Sequence, residues 1–259
     1  MPNHTIITVD ADNFEQHGLF CVKNKKHPGY LAKRDWLQQR FAEGLRLKLL
    51  LIKDKQAGFL EYIPAEFTWR VVEAREYFVI HCLWVNTHQF GVSGLASVLL
   101  QDCERDAITK DANGIAVVTS DGPWMADKRV YLKNGFRHVD ETAPHFQLLA
   151  KTFRDTPLPA FPKNWQERLA AIRGLQLLYT QQCPFIGKAV LELPPVAKQH
   201  GVTLKLMEMP DAATARKQMP SPYGMFNLVH DGRLLADHPI SATRFRNILQ
   251  KNLNLKLGN

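Results

Sequence analysis

The chain has 259 residues, 45% apolar and 22% charged, the balance of a folded globular protein long enough for two domains. No apolar run approaches the roughly 20 residues that span a bilayer, and the start MPNHTIITVDADNF lacks the basic-then-apolar pattern of a secretory leader. The net charge of +8 lies almost wholly beyond residue 156: up to there 20 Lys and Arg face 19 Asp and Glu, and after it 13 face 6.

That excess serves as a solvated surface or as a face for an anionic partner. No Lys/Arg stripe or recognised binding motif points to nucleic acid. Cys21, Cys82, Cys103 and Cys183 are far apart, without Cys-x-x-Cys or metal-site spacing, and the ten histidines are scattered. A reduced, cytoplasmic setting with free thiols and no metal follows. The sequence carries no signal for an oligomeric state.

In chain order, the pattern predicts a helix over Leu31 to Glu43, a hairpin over Leu47 to Ile63 turning near Asp54 to Ala57, and a strand near Trp69. YFVIHCLWV (Tyr77 to Val85) reads as a buried strand. The residues that follow are small and turn-prone, and from Leu95 the apolar Leu95, Val98, Leu99 and Cys103 recur at helical spacing. A strand running through a Gly-rich turn into a helix presents free backbone N–H groups at the positive end of the helix dipole, a place to hold a phosphate. Plain close packing of the same Gly-x-x-Gly-x-Ala pattern (Gly91, Gly94, Ala96) is the alternative. GIAVVTS (Gly114 to Ser120) is a second buried strand. WMADKRVYLKNGFRHVD reads as a short helix, a stop at Gly135 and a strand from Phe136, and FQLLAKTF reads as the last strand of this part.

This order, with Tyr-x-x-x-Gly-Phe at Tyr131, Gly135 and Phe136, resembles the GNAT family of acetyl-CoA-dependent N-acetyltransferases. LEYIPAEFTW, HCLWV, Asp127-Lys128, YTQQCPF and MPSPYGMFNLVHDGRLL extend the resemblance, over about Thr5 to Leu249, to the YoaP-type proteins, which join a GNAT domain to a small C-terminal domain. The resemblance implies a GNAT acyltransferase fold, a mixed central sheet flanked by helices. It also implies acetyl transfer to a small-molecule or peptide amine by direct attack on the thioester. The backbone of Leu83, Trp84 and Val85 would pair with the pantetheine arm, and the turn Gly91, Val92, Ser93, Gly94, Leu95, Ala96 would cradle the pyrophosphate of acetyl-CoA. The N–H near Val85 would polarise the carbonyl, and Tyr131 would protonate the departing sulfur. Glu61 and His81 are the candidate bases, with a satisfied core residue as the alternative for His81. Two positions depart from the family: Gly91 fills the Gln/Arg slot of the phosphate loop, and Trp124 replaces the usual Asn seven residues before the Tyr. A non-catalytic acyl-CoA sensor is therefore a competing reading.

RDTPLPAFPKNW holds three prolines within six residues and reads as a linker. It divides the chain into residues 1–155, a linker 156–165 and a domain 166–259. The second part reads as helix WQERLAAI, strand Gly174 to Thr180, the turn QQCPF and a helix through about His200 broken or kinked at Pro194-Pro195. A strand VTLKLMEM, a helix DAATARKQM, a hairpin about Asp231-Gly232 and a last helix ATRFRNILQKNL follow. This is a thioredoxin-like α/β order. Cys183 falls at the position of that fold's active cysteine, and the turn Met219 to Gly224 where it usually carries a cis-proline. Ile186 takes the place of a resolving cysteine, so the readings for this part are a binding module, a monothiol redox site at Cys183, or a structural cap.

Overall fold

The computed structural model describes residues 3–253. The described residues form two compact units: those up to Lys23 with Leu37–Pro162, and Asn24–Trp36 with those from Lys163 on.

The first unit opens with β1 (His4–Val9) and a one-turn α1 (Phe14–His17), followed by α2 (Pro28–Ala42). The unit boundary falls inside α2, so only its last turns belong here. The hairpin β2 (Arg46–Ile52) and β3 (Lys55–Pro64) turns on Lys53 and Asp54, both at positive φ (49° and 60°), a two-residue turn whose twist suits paired strands. Then come β4 (Tyr77–Val85), α3 (Thr87–Phe90), α4 (Leu95–Thr109), β5 (Gly114–Ser120), α5 (Lys128–Leu132), β6 (Arg137–Thr142) and β7 (Phe146–Thr152). The seven strands lie in the order β1-β2-β3-β4-β5-β7-β6. Only β4 and β5 run parallel, as a crossover through α4 requires. β7 inserts between β5 and β6, so the last strand in sequence is not the edge.

One face of this sheet is closed by α4. Leu95, Leu99, Leu100, Cys103 and Ala107 repeat at helical spacing and pack on Leu60, Tyr62, Phe78, Ile80, Leu83, Ile115 and Val117. Each fully buried leucine there contributes about 1.5–3 kcal/mol. Burial also pushes the Cys103 thiol pKa well above its ordinary value.

Three expectations differ from what is observed in this unit. No strand forms at Trp69, because its N–H is spent on a side chain, the Nε2 of His81 at 3.3 Å. The short helix starts at Lys128 rather than Trp124, since Asp127 caps it by accepting from Arg129 N–H, while Trp124 sits at φ 76°. The proline-rich segment is no free tether as far as Pro162. Ala160 and Glu73 exchange two 2.9 Å backbone hydrogen bonds, Phe161 N–H donates to Asp140 at 2.8 Å, and the Phe161 ring is buried.

The second unit holds α6 (Trp165–Ala170), β8 (Leu175–Tyr179), α7 (Pro184–Gln199), β9 (Leu204–Glu208), α8 (Ala212–Gln218), β10 (Phe226–His230), β11 (Arg233–Ala236) and α9 (Ala242–Leu253). Its sheet has the order β11-β10-β8-β9, with β8 and β9 parallel and the others antiparallel. Residues 254–259 of the expected second domain lie outside the described residues. Pro194 and Pro195 do not interrupt α7: two missing N–H donors remove two rungs, and buried Leu193, Val196 and Ala197 hold the helix on its core. The segment Asn24–Trp36 docks here through glycine. A Cβ on Gly29 would stand 1.9 Å from the carbonyl oxygen of Pro184, so only a residue without a side chain permits the approach. The cis peptide bond among the described residues is Ala143–Pro144 in the first unit, so the turn Met219 to Gly224 carries no cis-proline.

Candidate active site

The middle of the first sheet is interrupted twice at one level. Along β3 and β4, Glu61 stands opposite Cys82 and Tyr62 opposite Ile80, which leaves His81 as an extra residue, a β-bulge. Along β4 and β5, pairing runs from Tyr77 beside Gly114 to Ile80 beside Val117 and stops there. Both strands continue, β4 paired with β3 up to Val85 beside Gly58, and β5 paired with β7 up to Ser120 beside Phe146. The bulge adds twist at the point where the strands part, and a gap opens between their C-terminal halves. Asn86 N–H donates to Ala57 O at 2.8 Å. By strand alternation the backbone groups of Val85 and Leu83 therefore face the gap, and those of Trp84 face β3. Trp84 is 48% exposed, and its ring lies edge-on to Phe20 at 5.3 Å. Gly58 keeps this arrangement close, since a Cβ there would stand 2.9 Å from Trp84 O.

The gap leads to the start of α4. Gly91 closes α3 at φ 60° and Gly94 precedes α4 at φ 82°, both left-handed conformations open to glycine. No side chain caps α4, and its first internal hydrogen bond is Val98 N–H to Gly94 O at 3.2 Å. The N–H groups of Leu95, Ala96 and Ser97 thus have no helical partner. Val92, Ser93 and the two glycines complete an exposed or half-buried rim.

Tyr131, on α5, is 2% exposed and packs edge-on to Phe136 at 5.6 Å. Its hydroxyl makes no hydrogen bond among the described residues. Burial raises its pKa far above the ordinary tyrosine value; Cys82 adds to the rise and Arg70 opposes it. At neutral pH it is a protonated donor without an acceptor among the described residues.

The two candidate bases meet each other. His81 Nδ1 lies 3.2 Å from Glu61 Oε1 and its Nε2 lies 3.0 Å from Thr68 Oγ1, all three residues being almost wholly buried. Trp69 N–H donates to Nε2, so Nε2 is the unprotonated nitrogen and Nδ1–H donates to Glu61. Arg70 N–H donates to Thr68 Oγ1, and the Arg70 guanidinium donates to His81 O. A ring with both nitrogens bonded inside the fold has no lone pair for an incoming amine. His81 is placed as a brace for the bulge rather than as a base, and Glu61 is its acceptor. Cys183, in the second unit, is half-buried at the N-cap of α7, and Ile186, expected from the sequence to replace a resolving cysteine, is fully buried. Among the described residues no group of His, Cys, Asp and Glu could hold a metal ion.

The chain is similar along its length to a protein of Bacillus subtilis (strain 168) named uncharacterized N-acetyltransferase YoaP, 29% identical over 248 residues, spanning 94% of this chain and 97% of that one. No family model matches. Among solved structures it is similar to a putative acetyltransferase of the GNAT family from Desulfovibrio desulfuricans, with 14% identity, 58% of this chain, 99% of that one and a TM-score of 0.41. It is also similar to the Campylobacter jejuni N-acetyltransferase PseH in complex with acetyl coenzyme A, with 12% identity, 59% of this chain, 100% of that one and a TM-score of 0.41.

Proposed function

We propose that the chain is an acetyl-CoA-dependent N-acetyltransferase of the GNAT type acting on an amine. The observation that carries this reading is the parting of β4 and β5 beyond Ile80 and Val117, beside the uncapped glycine start of α4. The full-length likeness to an N-acetyltransferase supports it.

The residues present suit acetyl-CoA, which supplies the acetyl thioester when bound. The backbone of Leu83 and Val85 offers an unpaired strand edge to a pantetheine amide. The N–H groups at Gly94 to Ser97, with the positive end of the α4 dipole behind them, suit an anion, so the Gln/Arg side chain missing at Gly91 is not required for phosphate contact. The Val85 N–H stabilises negative charge on the thioester oxygen. Tyr131 gives its proton to the departing sulfur, a role that fits a buried, protonated hydroxyl with no acceptor of its own. Glu61, through His81, fixes the bulge that keeps the strands apart.

The second unit is read as thioredoxin-like, from its sheet order and from the placement of Cys183 at the start of α7. Without a resolving thiol at Ile186 it serves binding rather than disulfide reduction. Four cysteines that form no disulfide among the described residues suit a cytoplasmic setting, and among the described residues no helix is long and apolar enough to cross a membrane. The test is thermal unfolding with acetyl-CoA, CoA or ATP, followed by thiol release from acetyl-CoA over a panel of primary amines. Stabilisation by acetyl-CoA and amine-dependent release are expected; no stabilisation would overturn the reading.

A further inference from the structure

A second polar pair stands at the mouth of the same gap. Ser120 is the last residue of β5, three positions beyond the final pairing of β5 with β4. Ile115 and Val117 pack toward α4, so by alternation Ser120 faces the other side of the sheet. Glu61, Cys82 and Trp84 take that same side, each being next in sequence to a residue that packs toward α4. His145, in the turn between β6 and β7, places Nδ1 2.6 Å from Ser120 Oγ. The ring is held by Phe146 at 4.9 Å and by Gly122, where even a methyl group would crowd Cε1 at 3.2 Å.

The hydrogen-bond count of this serine decides what the pair can do. A hydroxyl has one proton and two lone pairs. Ser120 Oγ accepts Gly122 N–H at 2.9 Å, meets His145, and makes no other hydrogen bond among the described residues. With its proton directed at Nδ1, one lone pair of this serine at the end of β5 is left unused among the described residues. The Glu61–His81 pair offers no such position, because both of its ring nitrogens are taken inside the fold.

Resting on the acetyltransferase reading, we propose that Ser120 and His145 are the proton outlet for the acceptor amine. The amine nitrogen bonds to the acetyl carbon as the carbon–sulfur bond breaks. Sulfur takes the proton of Tyr131. The surplus proton on nitrogen passes to Ser120 Oγ while the serine's own proton moves to His145 Nδ1. Once the product has left, the Nδ1 proton passes back through Ser120 Oγ to water entering the gap, which restores the resting tautomer, and water reprotonates Tyr131. The acceptor thus arrives from the face away from α4, and the thioester from the α4 side.

Nitrogen-15 NMR of histidine-labelled full-length protein reads the deciding feature without any acceptor. The neutral His145 ring is expected with Nδ1 unprotonated and Nε2 protonated, a pattern disturbed in Ser120→Ala and kept in Ser120→Thr. A neutral ring with its proton on Nδ1 overturns the proposal. With an amine found by thiol release, Ser120→Ala should lower kcat about 10² to 10⁴-fold. The KM for acetyl-CoA should stay within about twofold, Ser120→Thr should recover most of the rate, and added imidazole should partly restore His145→Ala. A Ser120→Ala enzyme at full rate, or a loss carried wholly by KM, also overturns it. Failure of acetyl-CoA to bind at all would instead defeat the acetyltransferase reading, whichever tautomer is found.

Discussion

Replacing Gly94 by alanine separates backbone strain from ligand contact. At φ 82° the residue is left-handed, and an L side chain in that region costs about 1–2 kcal/mol. Gly201→Ala is the control: its φ is 68°, a Cβ there meets nothing within 4 Å, and it lies in the second unit. Both variants should lose similar stability without ligand, about 1–2 kcal/mol in urea unfolding. Only Gly94→Ala should lose acetyl-CoA affinity, because relief of the strain turns the N–H groups at the start of α4 away from the pyrophosphate. A hydrogen bond to a charged group contributes about 1.5–3 kcal/mol, which is roughly tenfold to a hundredfold in Kd. At a ligand concentration of one hundred times the wild-type Kd, stabilisation is about 2.7 kcal/mol, and it falls to about 0.9 kcal/mol if Kd rises thirtyfold. At about 2–4 °C per kcal/mol for a domain of this size, the shift in Tm drops from about 5–11 °C to about 2–4 °C. Calorimetric titration gives Kd directly. If Gly94→Ala matches Gly201→Ala in stability and binds acetyl-CoA as the wild type does, the phosphate site is elsewhere.

Tyr131→Phe should leave stability and acetyl-CoA affinity almost unchanged, since its hydroxyl has no hydrogen-bond partner among the described residues, while turnover falls about 10² to 10⁴-fold; a full rate with chemistry limiting removes it from the mechanism. Glu61→Ala strands the Nδ1–H of His81 and should destabilise by about 1–3 kcal/mol, whereas Glu61→Gln keeps an acceptor oxygen and should cost less. Equal urea midpoints for the two would show that Glu61 does not accept that proton. The Asp127 carboxyl is held down to about 2, first by its hydrogen bond with the Arg129 side chain. Because this folded value lies below the ordinary value of about 3.9, its capping of α5 is complete above that pH and is lost as pH falls toward 2. Carbon-13 NMR of the carboxyl should show that titration, and a midpoint near 4 would contradict it.

The strand, turn and helix from Tyr77 to Thr109 were legible because apolar alternation, glycine placement and helical spacing all lie within one stretch of chain. The meeting of Glu61 with His81 was not. It depends on a bulge that shifts the β3–β4 register by one residue, and nothing in YFVIHCLWV marks where that shift falls. The ring's two further partners, Thr68 and the Trp69 backbone, come from a segment whose pattern suggested a strand. The pairing of Ser120 with His145 was hidden for a different reason. The two are 25 residues apart, and they meet only because β7 enters the sheet ahead of β6. Composition located the prolines of residues 157–162 but not their packing, since Ala160 and Phe161 between them keep the N–H groups that tie the segment down.

The assignment of Asn24–Trp36 to the second unit gives the chain three crossings between units, at 23/24, 36/37 and 162/163. No single cut can release either unit whole. A protease acting after Pro162 would leave a C-terminal fragment whose α7 lacks the segment that Gly29 seats against Pro184, and an N-terminal fragment still carrying that segment with its buried Tyr30 and Trp36 uncovered. The two pieces would be expected to stay together through this exchanged segment, and expression trials that stop at the proline-rich stretch would yield insoluble halves. Dissection at this point calls for co-expression of the two fragments, so that Asn24–Trp36 can join the rest of the second unit as both fold.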